Sequence, residues 1–481
     1  MTHPSAARRW RWFLPFIVLV LAPSATGQTG ARLPAGIEVV VSGHDLPPDA
    51  YTLLVQEVGT ASPLLSVNPD QSFNPASTIK IFTTLAGLEL LGADYTWETG
   101  IFTMGPVTDG TLEGDLLVRG GGDPFLVEEH FRAMLKVLMR RGVERIRGDL
   151  VIDDSLFDPS VLGDPPIDDE IARSYNVLPH ALSTNFQTVN FYFYPHPNGR
   201  DVTLVADPDL PNLTITNRLR QADRSCGGFQ RGIRFDIDPS VANGVIFSGQ
   251  YPSRCDEYVL SRAVLDAPAY AFGLFQVLWR QLGGEFDGGL RLGAAPRDRE
   301  PLVRWTSPPL GDVVQSINKF SNNLMARHLL LTVGVERFGP PATVENGIRA
   351  LEEYLDSRDI GRDGLVLVNG AGLSRETRVT GAMIRDVLEH GYRTSTMAEL
   401  VASLPLAGID GTMRTRLAGA PAVGNAHVKT GSLDGVAALA GYVHARSGTD
   451  YVVVGILNHP LADIGPGQEL MDALLAWAHD Q

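Results

Sequence analysis

The chain has 481 residues, 40 basic against 55 acidic side chains, a formal charge of −15 and 44% hydrophobic content. That length and apolar content suit two or three domains with sizeable cores and exclude a disordered chain. A field of that sign makes nucleic acid a poor partner. Of the basic residues only four are lysines, Lys80, Lys136, Lys319 and Lys429. An amine beside a hydroxyl can lose its proton and act as a base, which a guanidinium cannot.

Arg8, Arg9 and Arg11 precede an apolar run from Phe13 to Ala22 and the small residues Ala25-Thr26-Gly27, the pattern of a secretory signal over residues 1–27. The run is too short to span a bilayer, so export to the periplasm is expected, with no transmembrane anchor in the mature protein. Residues 37–68 alternate apolar and polar positions with Pro and Gly breaks, which predicts an opening antiparallel hairpin. Asn74-Pro75-Ala76-Ser77-Thr78-Ile79-Lys80 then opens an apolar-rich helix that stops at Gly92. Strands are predicted at 97–104, 112–119 and 149–153. The glycine loop at 120–124 lacks the third glycine of a dinucleotide fingerprint, and no cofactor is expected.

From 102 to 261 the chain reads as an inserted β-rich module holding both cysteines, Cys226 and Cys255. In an oxidising compartment these fit one disulfide, closing a loop worth about 3 to 4 kcal/mol in the chain-entropy model. Helices are predicted at 270–282, 311–320, 323–333, 344–357 and 381–391, then strands at 427–432, 436–444 and 451–457 and a helix at 466–478. Helices on an antiparallel sheet with an interrupting β module make an α+β protein. The 11 histidines are too widely spaced for a zinc pattern, and no metal is expected.

A helix places residues three apart on one face, so Ser77 and Lys80 form a candidate nucleophile and base. Ser316 and Lys319 share that spacing, but Ser316 falls on the surface of a helical pattern built on Val313, Val314, Ile317 and Phe320. Ser321-Asn322-Asn323 falls in the turn between two helical patterns, where Ser321 can relay a proton and Asn323 can hold a carbonyl or the base. Ser183-Thr184-Asn185 has the same pattern but runs into a strand and reads as structural. Lys429-Thr430-Gly431-Ser432 lies on a strand, where glycine lets a substrate backbone approach and Lys with two hydroxyls can bind a carboxylate. The N–H groups of Ser77 and Ser432 form a candidate oxyanion hole. Asp153 and Asp154, near Phe157, are candidates for holding the ammonium group of a diamino-acid side chain.

Ser-x-x-Lys, Ser-x-Asn and Lys-Thr-Gly in this order resemble the penicillin-recognising serine acyl-transferases. The long gap between Ser77 and Ser321 is similar to that of the class C low-molecular-mass penicillin-binding proteins, the D-Ala-D-Ala carboxypeptidase/endopeptidases. Segments 114–126, 148–158, 307–310, 369–375 and 404–417 carry the resemblance further. It implies a transpeptidase/β-lactamase-like domain, discontinuous over 28–101 and 262–481, acting on peptidoglycan stem peptides and acylated by β-lactams. Residue by residue it implies Ser77 as nucleophile, Lys80 as base, and Ser321 and Asn323 in the proton network. Lys429, Thr430, Gly431 and Ser432 would bind the terminal carboxylate and the oxyanion. Asn322 and Ala371 depart from the Asp and Ser of many relatives. A β-lactamase or esterase on the same chassis is an alternative, though no Glu-x-x-x-Asn element is present. A non-catalytic wall-binding protein is the other.

Overall fold

The structure, a computed structural model, describes Met1, residues 33–158 and residues 166–481. The expected signal segment therefore lies outside the described residues. The frame of the catalytic region is a five-stranded antiparallel sheet in the order Leu65–Val67, Tyr51–Glu57, Asp450–Asn458, Val436–His444, Ala426–Leu433. Its central strands bury both faces, and their side chains divide with the period of two that a pleated strand imposes. Val452, Val454 and Ile456, with Ala438, Ala440 and Tyr442, face one core; Val453, Leu457, Leu439 and Val443 face another.

The first core is filled by the helices Lys80–Leu91, Leu310–Lys319, Asn323–Phe338, Val344–Ser357 and Gly381–Tyr392. The second is covered by the C-terminal helix Pro466–His479 and by an N-terminal helix, Ala35–Gly43. The expected opening hairpin is therefore only half present. Tyr51–Glu57 and Leu65–Val67 pair antiparallel, but the preceding segment is helical. Its valine run favours a strand locally; packing of Ile37 in the core beside the C-terminal helix overrides that preference, leaving Val39 exposed.

The intervening chain builds its own core from Ile101 to Val303. A mixed sheet of Leu290–Leu292, Leu150–Asp153, Leu116–Arg119, Glu98–Thr103 and Val303–Thr306 forms one layer. Two three-stranded sheets follow, one of Val189–Pro195, Val202–Asp207 and Tyr258–Arg262, the other of Thr214–Ala222, Ile233–Asp238 and Gly244–Pro252. Phe191, Phe193, Phe247 and Tyr251 interlock between them, with ring centroids 4.8 Å apart for Phe191 and Phe247. The helix Ala267–Gln281 packs Tyr270, Leu274, Phe275 and Trp279 into this same core, so the boundary expected at 261 falls inside it. Cys226 and Cys255 form the expected disulfide, with Cα atoms 5.6 Å apart.

Candidate active site

A sharp turn presents Ser77. Ala76 has φ +45°, a left-handed conformation rare for a residue with a Cβ, and a short 3-10 turn from Ala76 to Ile79 leads into the helix beginning at Lys80. Asn74 supports the turn, its Oδ1 accepting from the Ala76 N–H at 2.9 Å. Two glycines let other segments reach it. A Cβ on Gly372 would lie 1.9 Å from the Ala76 carbonyl, and one on Gly431 would lie 2.7 Å from the Pro75 carbonyl and 2.9 Å from the Ser77 nitrogen. The edge strand Ala426–Leu433 is thereby laid directly against the serine.

Lys80 is fully buried, and its Nζ lies 2.8 Å from Ser77 Oγ, 2.6 Å from Asn323 Oδ1 and 2.5 Å from the Ala371 carbonyl. Lys429, also fully buried, lies 2.8 Å from Ser321 Oγ and 2.7 Å from the Thr430 carbonyl. Neither amine has a carboxylate partner among the described residues. Burial, then the charges of Lys429 and Arg327, hold the Lys80 amine well below the usual lysine range. Burial brings Lys429 down to about 7. Lys319, in the competing Ser-x-x-Lys pair, is instead matched with Asp410 at 2.7 Å, and Ser316 sits half-buried on its helix.

Ser321 occupies a left-handed turn, φ +55°, between helices ending at Lys319 and starting at Asn323. Asn322 caps the second helix by accepting from the Met325 N–H at 3.0 Å. Asn323 is held from the insertion, its Nδ2 donating to the Tyr175 carbonyl at 3.4 Å, and Arg327 one turn later donates to the Val177 carbonyl at 3.4 Å. Thr430 exchanges a hydrogen bond with Thr412 at 2.7 Å, while Ser432 is exposed on the edge strand. The structure thus brings Ser77, Lys80, Ser321, Asn323, Lys429 and the strand through Thr430, Gly431 and Ser432 into one cleft.

Other expected candidates fall elsewhere. Asp153 accepts from Ser155 and from the Ala295 N–H, and Asp154 pairs with His180 at 2.6 Å and accepts from the Leu182 N–H. Both carboxylates are thus engaged within the fold, and Phe157 is buried, which removes the ammonium-holding role considered for them. Ser183 accepts from the His180 N–H, a structural contact. Sequence reasoning missed the carbonyls of Ala371 and Tyr175 and the hydroxyl of Thr412. Gly370 and Gly372, both left-handed, were the available signal for the first.

Half-buried Ser77 stands beside the fully buried Lys80 at a helix start and faces the Ser321-Asn322-Asn323 turn and the Lys429-Thr430-Gly431 edge strand, the hydroxyl-and-amine arrangement that serine acyl transfer requires. The family model of the D-Ala-D-Ala carboxypeptidase 3 (S13) family matches residues 33–481, and the chain belongs to that family of hydrolases. It is 31% identical to the D-alanyl-D-alanine carboxypeptidase of Actinomadura sp. (strain R39), over 90% of this chain and 83% of that one. It is 29% identical to the D-alanyl-D-alanine carboxypeptidase DacB of Haemophilus influenzae, over 80% of each. The crystal structure of penicillin binding protein 4 (dacB) from Haemophilus influenzae superposes with a TM-score of 0.79 at 26% identity, covering 92% of this chain and 99% of that one. A complex of the same protein with a novel β-lactam gives 0.74.

Proposed function

We propose that Ser77 attacks the carbonyl of the D-Ala-D-Ala bond of peptidoglycan stem peptides, forming an acyl-enzyme that water then hydrolyses, and that β-lactams acylate the same oxygen. The observation that carries this reading is the buried Lys80 amine with no carboxylate beside it. A neutral amine has two N–H groups and one lone pair. The N–H groups have Asn323 Oδ1 and the Ala371 carbonyl as acceptors, which leaves the lone pair to take the Ser77 proton at 2.8 Å.

Attack turns the carbonyl oxygen into an oxyanion, for which the Ser77 and Ser432 N–H groups are the donors. The proton passes through Ser321, beside Lys429, to the departing amine. Lys429 in its charged form, with Thr430 and Ser432, receives the substrate's terminal carboxylate. Ala426–Leu433 is the edge of its sheet, so an extended peptide can lie along it as a sixth strand. Release of a terminal D-Ala and cutting of a cross-link use the same chemistry and differ only in the leaving amine.

The insertion belongs with residues 98–306 in this reading, leaving a discontinuous catalytic domain of 33–97 and 307–481. Its core membership supports that division. The basic-then-apolar opening and the Cys226–Cys255 bridge support export to an oxidising periplasm. No helix among the described residues is long and apolar enough to cross a membrane. Labelling with a fluorescent penicillin followed by peptide mapping tests the assignment: the label is expected on Ser77 and lost in Ser77→Ala, with Ser316→Ala unchanged. Label on any other serine, or retained in Ser77→Ala, overturns it.

A further inference from the structure

The outer end of the insertion carries a feature that the acyl-transfer chemistry does not use. A cleft of about 300 Å³ opens there between Arg224 and Arg231, floored by Gln250 and the glycine-rich turn that follows Cys226. Neither guanidinium has a carboxylate partner among the described residues. Arg224 meets only the neutral Gln250 Oε1, at 3.3 Å. Asp223, its neighbour in sequence, faces Arg254 at 3.8 Å. In a chain with 55 acidic residues against 40 basic ones, two arginines turned to one cleft without a carboxylate are a local inversion of the overall charge. Both side chains are exposed, so an anion entering the cleft would meet two guanidiniums that no carboxylate of the described residues neutralises.

Three further observations make this a built site. The Cys226–Cys255 bridge ties the turn to the segment after strand Gly244–Pro252, so both walls of the cleft are fixed covalently. Gly228 stands at φ +67° with nothing within 4 Å of where a Cβ would be, so a ligand can approach the backbone closely. The sheet beside the cleft continues the same sign. Register places Arg218 and Arg234 on either side of Ser248, and Arg220 beside Gln250, all on one face because alternate residues share a face. Arg220 there also meets Asp201 at 3.5 Å, and Asp236 beside Ile246 and Asp238 beside Gly244 are the acids of that face.

We propose that this cleft binds a phosphate group, with Arg224 and Arg231 as the two guanidinium clamps and Ser225 as a hydroxyl donor. Guanidinium forks match the oxygen spacing of phosphate, and the arginine row around the cleft suits phosphates presented in an array, as lipid headgroups are. Two sources share this chemistry, an anionic lipid surface and a free phosphate. The test uses the full chain with three probes: inorganic phosphate by calorimetry, phosphatidylcholine vesicles, and the same vesicles containing phosphatidylglycerol, by cosedimentation.

Cosedimentation with the phosphatidylglycerol vesicles alone is expected, weakened about tenfold or more in the Arg224→Gln/Arg231→Gln double variant, the scale of a lost charge-assisted contact. Penicillin acylation of that variant stays unchanged, which separates loss of the site from loss of the fold and from any failure of the Ser77 assignment. Binding of inorganic phosphate that the double variant loses, without vesicle binding, supports the site and assigns it a soluble ligand. Absence of binding to every probe, or binding that the double variant retains in full, overturns the proposal.

Discussion

The catalytic cleft and the surface of the insertion place charge in opposite ways. In the cleft two lysines are fully buried against neutral oxygens, with no carboxylate among the described residues to fix their protons. On the surface of the insertion charges pair in the open, as Arg291 does with Asp115 and with Asp149. Exposed pairs of this kind contribute little individually. The buried amines gain something else, because desolvation without a countercharge is what converts a lysine from a cation into a base. Lys319, within the catalytic region, has the carboxylate partner that Lys80 lacks, Asp410 at 2.7 Å.

That contrast can be broken at the amine itself. Lys80→Arg keeps the positive charge but removes the neutral form, and acylation by penicillin, followed by stopped-flow labelling, is expected to fall by at least about two orders of magnitude. Lys429→Arg is expected to lose less, since a guanidinium still receives a carboxylate. Equal losses would show that the two roles are interchanged or shared. Crowding is the next lever. Gly431→Ala puts a methyl 2.7 Å from the Pro75 carbonyl, and the displaced strand is expected to lower kcat/KM about tenfold or more, in keeping with the sensitivity of catalysis to misplacement of about 1 Å.

pH sharpens the comparison with smaller effects. Lys429 is brought down to about 7, so its charged form prevails below that pH and is lost above it. For a substrate with a free terminal carboxylate, kcat/KM is expected to decline as pH rises through about 7. Lys80 acts as the neutral amine, so the acid limb of the profile reports its depressed pKa, and activity is expected to fall as pH drops through it. An acid limb that Lys429→Arg moves as far as the alkaline one would contradict this division. The smallest catalytic effect is expected from reducing Cys226–Cys255. Its loop closure contributes about 3 to 4 kcal/mol in the chain-entropy model, so thermal unfolding of the insertion should shift downward while the initial rate of Ser77 acylation at 25 °C stays within about twofold, the rate change of a barrier shift of only a few tenths of a kcal/mol.

The site was legible because its chemistry is written in side chains. Four lysines among 40 basic residues drew attention to Lys80 and Lys429, and the three motifs stand in the same order along the chain. What escaped was carried by backbone. The Ala371 carbonyl is marked only by its glycine neighbours and that of Tyr175 by nothing in residue type, and their contacts depend on which loops the fold brings near Lys80 and Asn323. Periodicity likewise says that the helix Ala267–Gln281 has a face to bury but not which core receives it; it joins the core of Phe191 and Phe247. Asp153 and Asp154 illustrate the converse: acidic residues beside an aromatic suggested recognition, and internal hydrogen bonds already engage them. In the segment Ala35–Gly43, local strand preference lost to docking on a helix from the far end of the chain.

The pairing of Tyr51–Glu57 with Asp450–Asn458 has a consequence for biogenesis. The serine turn comes early in the chain, after Leu65–Val67 and Ser72–Phe73, yet the strand that faces it, Ala426–Leu433, joins the sheet only through Val436–His444 and Asp450–Asn458. As the polypeptide lengthens during synthesis, the insertion can collapse on its own core while the nucleophile's neighbourhood waits for the last strands, because pairings such as Tyr51 with Leu457 span nearly the whole chain. The catalytic cleft is therefore completed only by the last strands, and a chain truncated before Asp450 would lack it.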